Sequence, residues 1–391
     1  RRVTGAAIDP EAPAGVAAVT RAGRPPRVLI LTTDIGEGHD LPARQLALGI
    51  AEESPGAQVE IIDGLDEMGR AMSAVVRDQS RMVFSAPTWM FDFEHWLAIR
   101  FRPTSWLSRM VTLLVGGRGL LRAVRSRRPD VVVSTYPGFT FVLGPMRRLG
   151  YVRVPVVAAI TDLAELRYWA WRGVDLHLIT HPESEDEVRR VAGPTDVRWV
   201  RGLTSPGFTL PPDAAAGRAA FDLPDGAPVA VVSGGGWGVG DLETAVEVAL
   251  ASAPDLHVVV LCGRNEQLFE RMERRFGHDP RVRVSGFTDQ MNELFAAADV
   301  LIHSTAGLTV LEAHIRGCRV ISYGWGVAHI KANNRAFEQH GIARVARTRS
   351  DLERALRDAL HEPKPDTHEV FAARPSAASA VLGTIAVREP A

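Results

Sequence analysis

The stretch "VAVVSGGGWGVGDLETAVEVAL", Val229–Leu250, decides the fold. Val229 to Val232 form the short apolar run of a strand buried on both faces. Gly234, Gly235, Gly236, Gly238 and Gly240 follow at once, and from Asp241 onward the apolar residues recur at helical spacing. Strand, glycine turn and helix make one βα unit of a parallel sheet. Without Cβ atoms the turn lets a backbone approach an anion, and a helix start offers N–H groups and the positive end of its dipole. A diphosphate is the natural guest. No Gly-Lys-Ser/Thr follows, so the turn is not a Walker A loop, and Asp241 is placed to cap the helix.

The same unit recurs along the chain. Apolar runs at 256–263, 282–287, 299–304 and 318–324 continue the series downstream. Upstream, the runs at 27–33, 58–63, 130–135, 155–161, 174–180 and 197–202 form an earlier series. Helix-period stretches separate most of them. Residues 206–228, rich in Pro, Asp and Gly, read as a linker. The expected class is α/β: two tandem Rossmann-like, doubly wound domains, 27–205 and 229–361, facing a cleft. Residues 1–26 read as a disordered lead-in. The Pro/Ala-rich tail 362–391 has room for a short helix returning to the first domain.

Composition excludes several classes. In 391 residues the formal net charge is −1, so no global charge points to nucleic acid. Cys262 and Cys318 are the two cysteines, too few for a disulfide framework or a zinc set, and a reducing, cytoplasmic setting is expected. No apolar run approaches the ~18 residues of a membrane span. Charge is uneven, however. Between Arg81 and Arg128 there are nine Arg, no Lys and two acids, with Trp89, Trp96 and Trp106 interleaved. That pairing suits a membrane surface at the inner face, or a greasy acceptor. It equally suits helices packed on their aromatic side with Arg in water.

A second motif, "STAGLTVLEA", spans Ser304–Ala313 and also follows a strand. Ser304, Ala306, Gly307 and Thr309 are expected to face phosphates. Glu312, one turn into the helix, is set to accept hydrogen bonds from vicinal ribose hydroxyls. In the first domain the turn after Thr32–Thr33 carries Gly36, Glu37, Gly38 and His39, at a position where open α/β sheets hold ligands.

Taken together, "SGGGWGVG", "LCGRNEQL", "GFTDQMNELFAAADVLI", "STAGLTVLEAHIRG", "GLTSPGF" at 202–208 and "TDL" at 161–163 resemble the monogalactosyldiacylglycerol synthase family. More distantly they are similar to the MurG-type N-acetylglucosaminyltransferases. The resemblance implies a GT-B glycosyltransferase that inverts the anomeric centre without a metal or other cofactor. Its C-terminal domain would bind a nucleotide sugar, usually UDP-linked, and its N-terminal domain would supply the acceptor site and the base. Gly235 and Gly236 then mark the diphosphate loop, with Trp237 and Arg264 beside it. Phe287 marks the base pocket and Glu312 the ribose contact. His39 is implied as general base or acceptor-orienting group, since imidazole titrates in the right range. Asp162 is either the base itself or the group that holds the His39 tautomer, with Asp34 a weaker third choice.

Departures from the family pattern bear on specificity. Glu37 stands where the family has glycine, Ser304 where it has a basic residue, and His329 where it has a sugar-reading Gln. Asn333 is retained, and Arg264 or Lys331 could replace the lost cation. The leading expectation is sugar transfer to a hydroxyl of a lipid or hydrophobic acceptor. Alternatives are a soluble natural-product acceptor, a non-hydrolysing nucleotide-sugar epimerase, or a binding protein with a decayed site.

Overall fold

A computed structural model describes residues 24–35, 37–70, 72–77, 112–324, 326 and 328–386. The Trp-bearing stretch 81–111 therefore lies outside the described residues, as does most of the lead-in. The first sheet comprises β1 (Arg27–Thr32), β2 (Gln58–Asp63), β3 (Val131–Ser134), β4 (Val156–Ile160), β5 (Leu176–Ile179) and β6 (Asp196–Trp199). The second comprises β7 (Val229–Ser233), β8 (His257–Leu261), β9 (Val282–Ser285), β10 (Val300–His303), β11 (Arg319–Tyr323) and β12 (Ala343–Ala346). All eleven expected strands form, each within two residues of its expected start. The twelfth, β12, is a four-residue edge strand that the sequence reading did not single out.

Strand order is β2-β1-β3-β4-β5-β6 in the first sheet and β12-β11-β10-β7-β8-β9 in the second, with every pairing parallel. Each order reverses once, between β1 and β3 and between β7 and β10. Register brings the strand ends level there: Leu31 pairs with Ser134, and Ser233 with His303. The loops that leave these strands consequently begin side by side, which opens a crevice at the carboxyl edge of each sheet.

The helices that position the site are α1 (Glu37–Glu53), α2 (Gly117–Arg127), α3 (Leu242–Ser252), α4 (Glu266–Phe276), α5 (Leu308–Ile315), α6 (Ala328–Gln339) and α7 (Ala377–Ala386). Burial explains the strands. Val229, Ala230, Val231 and Val232 are all inaccessible, and their side chains divide between two core clusters on opposite faces of the second sheet. Each fully buried Val contributes roughly 1.5–3 kcal/mol.

Two connections join the lobes. In the first, Pro206–Thr209 forms a 3-10 turn whose carbonyls are held by Arg316 at the end of α5. Its guanidinium donates to Gly207 O at 2.6 Å, to Leu210 O at 2.8 Å and to Asn292 Oδ1, and lies over the Phe208 ring. Burial lowers the Arg316 pKa to about 10, so it stays charged at neutral pH. In the second, the chain returns: Arg201 N donates to Pro375 O, Ala377 N donates to Arg201 O, and α7 packs with α1 in the first lobe's core.

Candidate active site

In the second lobe the loops after β7, β8, β9 and β10 converge. Gly235, Gly238 and Gly240 all take positive φ, at 69°, 59° and 108°. A Cβ on Gly240 would sit 2.4 Å from Ser304, so the glycine loop lies directly on the loop that follows β10. Ser304 Oγ donates to Val239 O. Its hydroxyl thus staples the two loops together at the place where the sequence suggested a phosphate contact. Asp241 Oδ1 accepts from Thr244 N at 3.2 Å and so occupies the start of α3. By contrast α5 begins at Gly307, φ 104°, with no side chain capping its first turn. The open helix start that suits an anion is therefore α5, flanked by Ala306 and Thr309, and not the helix after the glycine loop.

Beside these loops, Arg264 N donates to Gly236 O at 2.8 Å and Asn265 Nδ2 donates to Trp237 O at 3.4 Å. The Arg264 guanidinium lies 4.1 Å from the Phe287 ring centroid. Trp237 and Phe287 are each half exposed, at 50%, where large aromatics are normally covered. Two half-exposed aromatic rings and a stacked cation suit a planar base. Glu312 lies one turn into α5, buried, and loss of water pushes its carboxyl up to about 8.

In the first lobe α1 starts at Glu37, so His39 sits in the first turn of a helix and not in the preceding loop. His39 Nδ1 lies 2.9 Å from Thr135 O, at the end of β3. A carbonyl only accepts, so Nδ1 carries the proton and Nε2 is the basic atom of the neutral ring. Tyr136 meets the imidazole edge-on at 5.0 Å between centroids, and the Trp169 ring lies at 6.0 Å. Leu41, two residues on, packs against a core cluster of the second lobe. His39 therefore stands where the lobes meet, at the first sheet's reversal point.

The tautomer-setting place that the sequence left open to Asp162 is held by the Thr135 carbonyl. Asp162 instead accepts from Trp169 Nε1 at 2.8 Å and from Asn333 Nδ2 at 3.4 Å. Asn333 is 1% exposed, and its Oδ1 accepts from Leu163 N at 2.8 Å and Ala164 N at 3.1 Å. Its carboxamide faces the first lobe, a contact the sequence did not anticipate. Asp34 is paired with Arg77, which also binds Asp63 and Asp66. Gly38 has open space above it. Gly36 and the side chains of Glu37 and His329 lie outside the described residues. Sequence reasoning missed Thr135, Tyr136 and Trp169. The "STYPG" turn after β3 carried a signal, since it leaves the strand next to β1 at the reversal.

The fold has counterparts among known proteins. The structure matches MurG of Acinetobacter baumannii with a TM-score of 0.58 at 17% identity, over 93% of this chain and 100% of that one. The family model for monogalactosyldiacylglycerol synthase matches residues 40–198, and that for glycosyl transferases group 1 matches 237–362. The chain has the GT-B fold. It is similar to processive diacylglycerol beta-glucosyltransferases. The Bacillus cereus (strain 03BB102) protein is 22% identical over 373 residues, 92% of this chain and 93% of that one. The Staphylococcus carnosus protein is 22% identical over 251 residues, 64% of each chain. Thus this GT-B chain spans just under two thirds of the staphylococcal relative and nearly all of the Bacillus one.

Proposed function

We propose that this chain is an inverting glycosyltransferase that moves a sugar, glucose first among candidates, from a UDP-linked donor to the hydroxyl of a diacylglycerol-type lipid. The observation that carries the reading is the pairing of His39, with its Nδ1 proton held by Thr135, and the uncapped start of α5 in the facing lobe. The names of the relatives supply the sugar and the acceptor class.

The chemistry runs in one displacement. His39 Nε2 takes the proton of the acceptor hydroxyl as its oxygen attacks the anomeric carbon. The bond from that carbon to the diphosphate oxygen breaks, and the electron pair leaves with the diphosphate. Backbone N–H groups of Leu308 and Thr309, with the glycine loop at Gly235 and Gly236, receive the growing negative charge. Attack from the face opposite the leaving group inverts the centre. Trp237, Phe287 and Arg264 hold the base, and Glu312 accepts from the ribose hydroxyls.

A lipid acceptor is supported by the described part of the basic segment. On α2, Arg118, Arg122 and Arg125 are exposed at helical spacing, preceded by the exposed Leu114 and Val115, at 58% and 51%. A cationic stripe beside apolar side chains suits a peripheral position on an anionic membrane. Among the described residues, no helix is long and apolar enough to cross a membrane.

The test presents UDP-glucose and diacylglycerol vesicles to the protein and follows the glycolipid formed, with the anomer read by NMR. A β-linked product is expected. An α-linked product would remove the inverting mechanism. Conversion of the donor sugar without any acceptor would make the protein an epimerase, and absence of nucleotide binding would end the reading.

A further inference from the structure

Asn333 joins the lobes at a point that the sequence reading gave to the sugar. It lies on α6, in the second lobe, yet its Oδ1 accepts two backbone N–H bonds from the Leu163–Ala164 turn of the first. Its Nδ2 reaches Asp162 Oδ1, and the other Asp162 oxygen accepts from Trp169 Nε1. Trp169 is buried and its ring neighbours that of His39. The turn so held is the one that leaves β4 at the cleft.

The next residue faces the opposite way. Asn334 Oδ1 accepts from Ser322 Oγ at 2.9 Å, and Ser322 Oγ lies 2.8 Å from His303 Nε2. Because the single Ser322 proton goes to Asn334, His303 Nε2 is the donor to Ser322. Burial keeps that ring neutral, with its pKa lowered to about 3. His303 immediately precedes Ser304 in the donor-side loop. Adjacent asparagines on one helix thus bind opposite lobes, one to the base of the donor loop and one to the turn beside the acceptor-side histidine.

We propose that Asn333 is a positioning residue which couples the lobes: it sets the Asp162–Trp169 wall against His39 only when α6 is seated, and it does not read the donor sugar. The inference rests on the glycosyltransferase reading for its effect on turnover, but the tether itself is measurable without activity. Two variants separate its parts. Asn333→Ala removes every bond. Asn333→Asp keeps acceptors for Leu163 N and Ala164 N, loses the donor to Asp162 and sets two carboxyls side by side.

Amide exchange of the segment containing Leu163 and Ala164, followed by mass spectrometry in the full chain, reads the tether. Asn333→Ala is expected to speed exchange there by about tenfold or more, while Asn333→Asp keeps the protection. In transfer assays both variants are expected to lose kcat, by roughly 100-fold, with UDP affinity unchanged. Asn333→Asp should recover part of its rate at lower pH, where the paired carboxyls share a proton. Unchanged exchange in Asn333→Ala overturns the tether. Weaker UDP or donor affinity with normal kcat at saturation overturns the positioning role and returns Asn333 to the sugar. A wild-type chain that transfers nothing ends the function proposed above and leaves the exchange result to decide the tether.

Discussion

At the scale of single residues, the proposed function assigns the chemistry to His39 and binding to Glu312. His39→Ala is expected to lower turnover between about 100-fold and 10,000-fold, the range for a positioned general base, with UDP affinity preserved by calorimetry. Loss of binding with unchanged turnover per bound donor would refute the assignment. Glu312→Gln should weaken UDP by about 1–3 kcal/mol above about pH 8, where the buried carboxyl is ionised and accepts from the ribose, and by less at lower pH, where burial keeps it protonated. The same variant has a pH signature. The folded pKa of Glu312, about 8, stands above its ordinary 4.5. Its contribution to stability is therefore fully present below about pH 4.5 and is lost as pH rises through about 8. Thermal melts should show Glu312→Gln gaining on the unliganded parent across that window; a constant gap would place the carboxyl in water. The places of His39 and Glu312, each soon after a strand end, were legible in the sequence, and the roles proposed for them came with the family resemblance. Thr135 was not, because a backbone carbonyl leaves no side-chain mark. The Asn333 contacts were hidden for another reason: its partners lie about 170 residues away in sequence.

At the scale of elements, local chemistry was readable and its direction less so. Glycines after β7 announced a close approach, and three of them take positive φ. Yet the side chain that caps α3 moved the open helix start to α5, a distinction that turns on one Asp241 hydrogen bond. α2 carries a prediction of its own. Substituting Arg118, Arg122 and Arg125 together by Gln should weaken binding to phosphatidylglycerol vesicles by about 3 kcal/mol, near 1 kcal/mol per charge. Binding to neutral vesicles and to UDP should not change. Equal losses on neutral lipid would make the apolar pair Leu114 and Val115 the anchor. Arg127 is a poor choice for this test, being paired with Glu60 and Glu67.

At the scale of the molecule, two parallel sheets of like construction, each with one reversal point, are joined in series. The alternation of apolar runs and helical stretches was enough to anticipate that construction. What it left out was the arrangement between lobes, carried by Arg316 on the hinge turn and by Asn333 across the cleft. Removing the chain from Pro363 onward should leave Leu46, Ile50 and Val200 uncovered, since α7 shares their cluster. The truncated protein is expected to aggregate; a soluble product with the parent's melting behaviour would show that α7 is dispensable. The return of α7 has a mechanical meaning as well. A body fastened at one point can swivel in any direction, whereas one pinned at two can only swing like a door on the line between the pins. Any turning of one lobe on the other is then expected to follow a single coordinate, and the chain itself, by crossing over and coming back, has drawn the axle.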